Sequence, residues 1–375
     1  MTGTEKLLRE LIALPSVNPA FLPADDPRAG EQRVAEFLAA TAARAGLDVQ
    51  LQPVLPGRPN FIARLSPTSM VRRRVLLAPH LDTVPAGDGQ LVPVRRAGRL
   101  HGRGACDTKG SVAAMLTAMI ELARSGARPR STEIVFAGLV DEENAQAGSR
   151  ALVAGGFRAQ LAIVGEPTRL AAVTAHKGSL WLQLETRGKS AHGAQPELGI
   201  NAVHSMARVV DALETGYAAR LRRRRHPLLG PATVSVGAIH GGTQPNIVPD
   251  RCAIVIDRRT LPGETEPGVR REIERFLSTR KLSVTFTSTK LAPCLPMETD
   301  AELPLVREFL GSLGQRKPLG VNFFCDAAVL SAGGIPSVVF GPGDIAQAHT
   351  ADEWISLESL ERGSRLLRRF LGSLA

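Results

Sequence analysis

The spacing of apolar and polar positions changes period along the chain, and each change marks an element. From Glu5 to Ala13, Leu7, Leu8, Leu11 and Ile12 recur at helical spacing until Pro15 ends the run. Glu31 to Ala45 repeats the pattern through Val34, Phe37, Leu38 and Ala42 and closes at Gly46. Leu47 to Val54, Asn60 to Leu65 and Val75 to Ala78 read as strands, and Ser111 to Ser125 as a helix closed by Gly126. Glu133 to Val140 and Leu161 to Val164 are apolar runs of strand length, the pattern of strands buried on both faces. Strands alternating with helices predict an α/β fold, with a mixed, mostly parallel sheet flanked by helices.

The texture changes near His176. Ser179 to Arg187 alternates as an antiparallel strand does, and Gly199 to Leu213 reads as a helix. Ala232 to Ile239 and Arg251 to Asp257 read as strands, Glu266 to Ser278 as a helix and Leu282 to Ser288 as a strand. This β-α-β-β-α-β order is the ferredoxin-like pattern, so an inserted α+β domain is expected over 176–289, between catalytic-domain parts at 1–175 and 290–375. After Lys290 the first texture returns, with helices at Ala301 to Leu313 and Asp326 to Ala332 and a buried strand at Ser337 to Phe340. Thr350-Ala351-Asp352-Glu353 fits a capping box for a last helix running through Leu371.

Composition narrows the class. At 375 residues, 43% hydrophobic and 22% charged, the chain can bury a core of ordinary globular type. No apolar run approaches the length of a membrane span, and charges crowd the first ten residues where a secretory signal needs an apolar stretch, so the expected compartment is the cytoplasm. The four cysteines stand singly, which argues against a disulfide framework or thiolate zinc site, and Cys106 reads as a small packing residue. A net charge of +10 invites a nucleic-acid reading, but only 7 of the 46 basic residues are Lys and aromatics are 4%, a composition that leaves few stacking platforms. Neither a nucleic-acid nor a membrane partner is expected. Arg222 to Arg225 reads as an exposed helix end or loop.

The chemistry gathers at strand ends. His80 and Asp82 follow the Val75–Ala78 strand two residues apart, on one face of an extended backbone. Asp107 lies in the glycine-punctuated loop before the Ser111 helix, Glu142 and Glu143 end the Glu133 strand, Glu166 ends the Leu161 strand, and His349 follows the Ser337 strand. Taken singly, these motifs have ordinary readings: a packed histidine, a helix N-cap, a solvated turn. Together His80, Asp107, Glu143, Glu166 and His349 form a donor set that suits Zn²⁺, with Co²⁺ or Mn²⁺ as substitutes. One bridging carboxylate, with a histidine and a carboxylate completing each ion, uses every member of a two-metal site. Asp82 then serves to orient the His80 ring. Glu142 and Glu143 diverge on extended backbone, which permits Glu143 to bind metal while Glu142 acts as general base.

These motifs carry a resemblance. Pro79-His80-Leu81-Asp82-Thr83-Val84-Pro85, Gly102 to Gly110, Asp141-Glu142-Glu143, Gly165-Glu166-Pro167-Thr168 and Ala348 to Glu353 resemble, in order, those of the zinc amidohydrolases and peptidases. That family includes acetylornithine deacetylase, succinyl-diaminopimelate desuccinylase, aminoacylase and glutamate carboxypeptidase. The resemblance implies two Zn²⁺ per chain, one held by His80, Asp107 and Glu166, the other by Asp107, Glu143 and His349. It implies Glu142 as base and an inserted domain acting as lid and dimerisation surface of a homodimer. Ser190-Ala191-His192-Gly193 resembles the segment whose histidine polarises the scissile carbonyl across the dimer. Gly241 to Pro249 and Asp257-Arg258-Arg259 resemble segments that hold the substrate carboxylate, which points to Asn246 and Arg259. Gly341-Pro342-Gly343 resembles a pocket-lining loop, giving Gly343. The expected activity is hydrolysis of the amide bond of a small N-acyl amino acid. A dipeptidase or carboxypeptidase is the alternative within the same scaffold, and a non-catalytic ligand-binding or dimerisation module is the alternative outside it.

Overall fold

Four apolar runs fold as the parallel centre of a sheet. In the computed structural model, which describes residues 1–289 and 293–374, Thr132–Gly138, Arg73–Pro79, Leu161–Gly165 and Ser337–Val339 lie side by side in that order, all parallel. Arg58–Leu65 adds antiparallel to Thr132–Gly138, and Asp48–Leu55 adds antiparallel to that strand. The central strands are buried along most of their length because helices cover the sheet, and this is why they read as continuous rather than alternating runs. Helix Lys109–Arg124 is buried over most of its turns and shares a core with helices Gly3–Ala13 and Leu357–Ser373. Phe309 of helix Pro304–Ser312 meets Phe340 and Phe370 edge-on, with ring centroids 5.3 and 4.9 Å away. The parallel arrangement sends His80, the 139–143 segment and Glu166 off the carboxyl ends of neighbouring strands, the end where open α/β sheets carry their sites.

These elements belong to a unit formed by residues 1–174, 299–319 and those from 325 on; residues 175–298 and 320–324 form a second unit. In the second unit the strands lie in the order Thr233–Gly241, Arg251–Thr260, Gly178–Arg187, Thr285–Ser288, every neighbouring pair antiparallel. With Ala202–Asp211 and Glu266–Ser278 as its helices, this is the ferredoxin-like arrangement. Leu182, Leu184, Ile254 and Ile256 point into one face and pack with Met206, Val209, Ile273 and Phe276. Lys290, where the sequence predicts the return to the first domain, lies outside the described residues.

Several boundaries differ from the sequence reading. The helix expected over Gly199 to Leu213 begins at Ala202 behind an Asn201 cap and continues through a π-helical stretch, Ala212–Tyr217, into Ala218–Arg222. Pro304 sits in the first turn of the helix expected from Ala301, where its missing N–H costs nothing. The capping box at Thr350 to Glu353 is not formed. Residues Trp354–Ser356 instead pair as a short strand with Arg99–His101, and the last helix, Leu357–Ser373, is capped by Ser356, whose side chain accepts from the Ser359 N–H. Glu353 is taken up elsewhere. Its carboxylate accepts from the backbone N–H of Gly104, Cys106 and Asp107 and from Arg103, at 2.7–2.9 Å.

Candidate metal centre

All five sequence-predicted ligands lie in the first unit, Glu166 beside His80, and His80, Glu143 and His349 around Asp107. Its Oδ1 is 3.1 Å from His80 Nε2 and its Oδ2 is 3.2 Å from His349 Nε2, so each carboxylate oxygen faces a different imidazole. His80 Nε2 lies 3.9 Å from Glu166 Oε1, and His349 Nε2 lies 3.2 Å from Glu143 Oε1. Donors about 2.0–2.1 Å from a tetrahedral Zn²⁺ stand roughly 3.3 Å from one another. The contacts of Asp107 with both histidines and of His349 with Glu143 lie near that value, so the donor set fits divalent metal.

The supports of this cluster are themselves built from charged and polar contacts. Asp82 is fully buried; its Oδ1 accepts from the Glu142 N–H and its Oδ2 from the Glu143 N–H, both at 3.0 Å, and Asn18 Nδ2 donates to it at 2.8 Å. His80 Nδ1 contacts the Asp82 carbonyl at 3.0 Å, which leaves Nε2 facing the carboxylates. One aspartate therefore fixes both the imidazole and the acidic turn. Asp141 adopts a positive φ of 69°, with its N–H on Glu31 and its carboxylate on Arg58 and Asn18. Glu353 gathers three N–H groups of one loop and so shapes the segment that presents Asp107. Thr108 Oγ1 ties the same segment to the Gly165 carbonyl at 2.7 Å.

The electrostatics follow from packing so many charges together. Burial raises the Glu142 carboxyl well above the ordinary range, and Glu166, Asp326 and Glu143 add to the rise against the pull of His80. Glu166 is raised for the same reasons. Burial opposes protonation of His80, yet its bonds to Asp107 and Asp82 raise it well above the usual histidine value. Contacts with Asp107 and Glu143 raise His349 to about 10.

The remaining predicted residues fall as follows. Gly343 has φ 93°, and a Cβ there would stand 2.6 Å from Cys106 Sγ, so glycine is required at this close approach. Cys106 is buried and its thiol donates to the Asp344 carbonyl, the packing role expected of it. In the second unit, exposed His192 pairs with Ile247, and the Gly193 N–H donates to the Asn246 carbonyl at 2.7 Å. These two segments line a groove of about 580 Å³ with Asn201, Thr243 and Gln244. Arg258 is fully buried against Tyr217 and Glu264, whereas the Arg259 side chain is 32% exposed and its guanidinium donates to Asp257 at 2.9 Å. Of the pair, Arg259 is the more exposed.

Sequence reasoning did not single out Asn18, Glu31, Arg58 or Asp326, and it misassigned Glu353. Asp326 is buried beside the centre, accepts from Ser149 at 2.6 Å and is pushed up to about 7 by burial. The signal for Glu353 was its place in the His349 motif; the others carry none that is local.

The model of peptidase family M20/M25/M40 matches residues 76–373. Acetylornithine deacetylase of Myxococcus xanthus is 33% identical over 323 residues, which is 83% of this chain and 82% of that protein. Among solved structures, aminopeptidase PepT from Bacillus cereus superposes with a TM-score of 0.80 at 21% identity, covering 99% of this chain and 97% of its own. The Bacillus subtilis YXEP protein, described as a dinuclear metal binding peptidase, superposes with a TM-score of 0.72 at 16% identity, covering 98% and 96%. At these identities the structural likeness concerns the fold. Among the described residues no helix is long and apolar enough to cross a membrane.

Proposed function

Because the chain belongs to peptidase family M20/M25/M40, we propose that it is a two-metal amidohydrolase that cleaves the amide bond of a small N-acyl amino acid and releases the free amino acid. The observation that carries the two-metal reading is the pair of Asp107 contacts, one oxygen toward His80 and the other toward His349. We assign His80, Asp107 and Glu166 to one ion, and Asp107, Glu143 and His349 to the other, with Zn²⁺ as the metal. The deacylase reading is supported by the acetylornithine deacetylases, which match most of the chain at about 30% identity.

When bound, the two ions supply Lewis-acid polarisation of the scissile carbonyl and lower the pKa of water. The protein's own groups do the rest. Glu142 takes a proton from the attacking water and passes it to the leaving amine; its buried, raised carboxyl suits both transfers. Asp82 holds Glu142, Glu143 and His80 in register through the backbone and ring contacts described above. His192 is the proposed donor to the carbonyl oxygen as it gains charge. Arg259 and Asn246 bind the substrate carboxylate, for which a guanidinium fork is the suited partner. The second unit is proposed as lid and dimerisation domain of a cytoplasmic homodimer.

The test is amine release from a panel of N-acetyl and N-succinyl amino acids and dipeptides, with zinc-reconstituted protein beside Glu142→Gln. Turnover of acyl-amino acids, abolished by chelation and in the variant, is the expected result. Turnover confined to dipeptides would replace the deacylase reading by a dipeptidase, and silence with both metals bound would overturn the substrate class.

A further inference from the structure

In the second unit, helix Glu266–Ser278 and the end of the preceding helical run enclose a groove of about 410 Å³. Four exposed arginines, Arg220, Arg223, Arg275 and Arg280, line it with Phe276, and Glu272 is its carboxylate. That carboxylate is already committed: its Oε1 takes Arg224 at 2.6 Å and Arg220 at 3.4 Å. The other guanidiniums rest on neutral groups. Arg275 donates to the Arg271 carbonyl, while Arg280 lies 3.8 Å from the Phe276 ring centre and donates to the Phe276 carbonyl and Thr279 Oγ1. Arg223 makes no side-chain ion pair with any described residue.

The cluster concentrates positive charge on one exposed surface. Arg220 lies in the last turn of helix Ala218–Arg222 and Arg223 is its C-cap, so like charges stand three residues apart, and Arg275 and Arg280 bring two more positive charges to the same groove. The backbone also departs from regularity here. The π-helical stretch Ala212–Tyr217 carries Gly216, where a Cβ would lie 3.0 Å from Phe276 Cζ and 3.3 Å from Arg280 Nη2. Insertions of this kind recur at functional sites. Guanidinium forks pair bidentately with phosphate oxygens, and the groove offers several forks against one shared acid. We propose that it binds a compact, multiply charged anion of the di- or triphosphate class, free or carried on a nucleotide. The groove shares no residue with the metal centre or with His192, Asn246 and Arg259, so an anion there would act as an effector rather than a substrate.

The test is calorimetric titration of the metal-loaded enzyme with inorganic tripolyphosphate and, in parallel, with ATP. Wild type is compared with Arg223→Ala/Arg280→Ala and with Arg223→Lys. The expected result is saturable one-to-one binding that weakens steeply between about 50 and 200 mM salt. The double variant should bind at least about tenfold more weakly while its circular dichroism and melting temperature stay near wild type. Arg223→Lys, which keeps the charge but not the fork, should fall between them. Equal affinities for the two probes identify the phosphate chain as the recognised group; tighter ATP adds the nucleoside. Absence of saturable binding overturns the proposal. So do equal affinities in wild type and double variant, which would assign the anion to the metal centre or to general surface charge.

Discussion

Asp82 shows how much a single residue outside the ligand set controls. Its two oxygens hold the N–H groups of Glu142 and Glu143, and its carbonyl holds His80. Asp82→Ala removes the acceptors of the Glu142 and Glu143 N–H groups and the carboxylate 3.4 Å from His80 Nδ1, leaving only the backbone carbonyl on the ring. The expected effect is a 10–100-fold loss of metal affinity, read by competition with a chromogenic chelator; unchanged affinity would leave Asp82 with no role in the centre. Glu142→Gln should behave in the opposite sense. Metal stays bound while kcat falls by about 10²–10⁴, and a kcat near wild type would remove Glu142 from the proton transfers. The residues named in these tests were legible in the sequence because metal and proton chemistry admit few side-chain types and place them at strand ends. Asn18 and the Glu31–Arg58 pair were not, since each reaches Asp82 or Asp141 across more than sixty residues of chain, a proximity that only the folded sheet creates.

At the scale of elements, the segment from Gly102 to Asp107 is held by an acid distant in sequence. Glu353 accepts three backbone N–H groups and pairs with Arg103, which is only 5% exposed. Glu353→Ala leaves a buried guanidinium and three amides without their acceptor, and a loss of about 3–5 kcal/mol in urea unfolding is expected. A loss below about 1 kcal/mol would mean that water replaces the carboxylate and that the segment is not held by it. The same residue explains where helix prediction failed. Thr350 and Glu353 have the spacing of a capping box, but four donors outbid one cap N–H, and the chain extends to Ser356 before the helix begins. The strands Val94–Arg96 and Arg99–His101 were missed for a related reason: they are three residues each, too short to show a period, and are set by pairing with Trp354–Ser356. Long buried runs, by contrast, were legible to within two residues, since only a covered sheet sustains them.

For the molecule as a whole, the second unit carries one consequence of its own packing and one of the proposed assembly. His176 is fully buried there and its Nε2 has no partner among the described residues; burial depresses it from 6.5 to about 4. The unfolded chain therefore binds a proton between those pH values that the folded chain refuses. The stabilisation is complete above pH 6.5 and is lost as the pH falls toward 4, by up to about 3 kcal/mol. In His176→Phe this part of the pH dependence of urea unfolding should vanish; an unchanged slope would place the acid sensitivity elsewhere. The second consequence concerns assembly. His192 and Asn246 are exposed on two segments zipped together by the Gly193 and Val248 N–H groups. If His192 acts on the metal centre of a partner chain, inactive Glu142→Ala and inactive His192→Ala protomers mixed and allowed to exchange will form one composite site with an intact base and an intact histidine. Random pairing at equal amounts should then restore about a quarter of wild-type activity, since half the dimers are mixed and each has one working site. Activity that stays at the level of the parent variants after exchange, with mixed dimers verified by mass, would confine His192 to its own chain or remove it from catalysis.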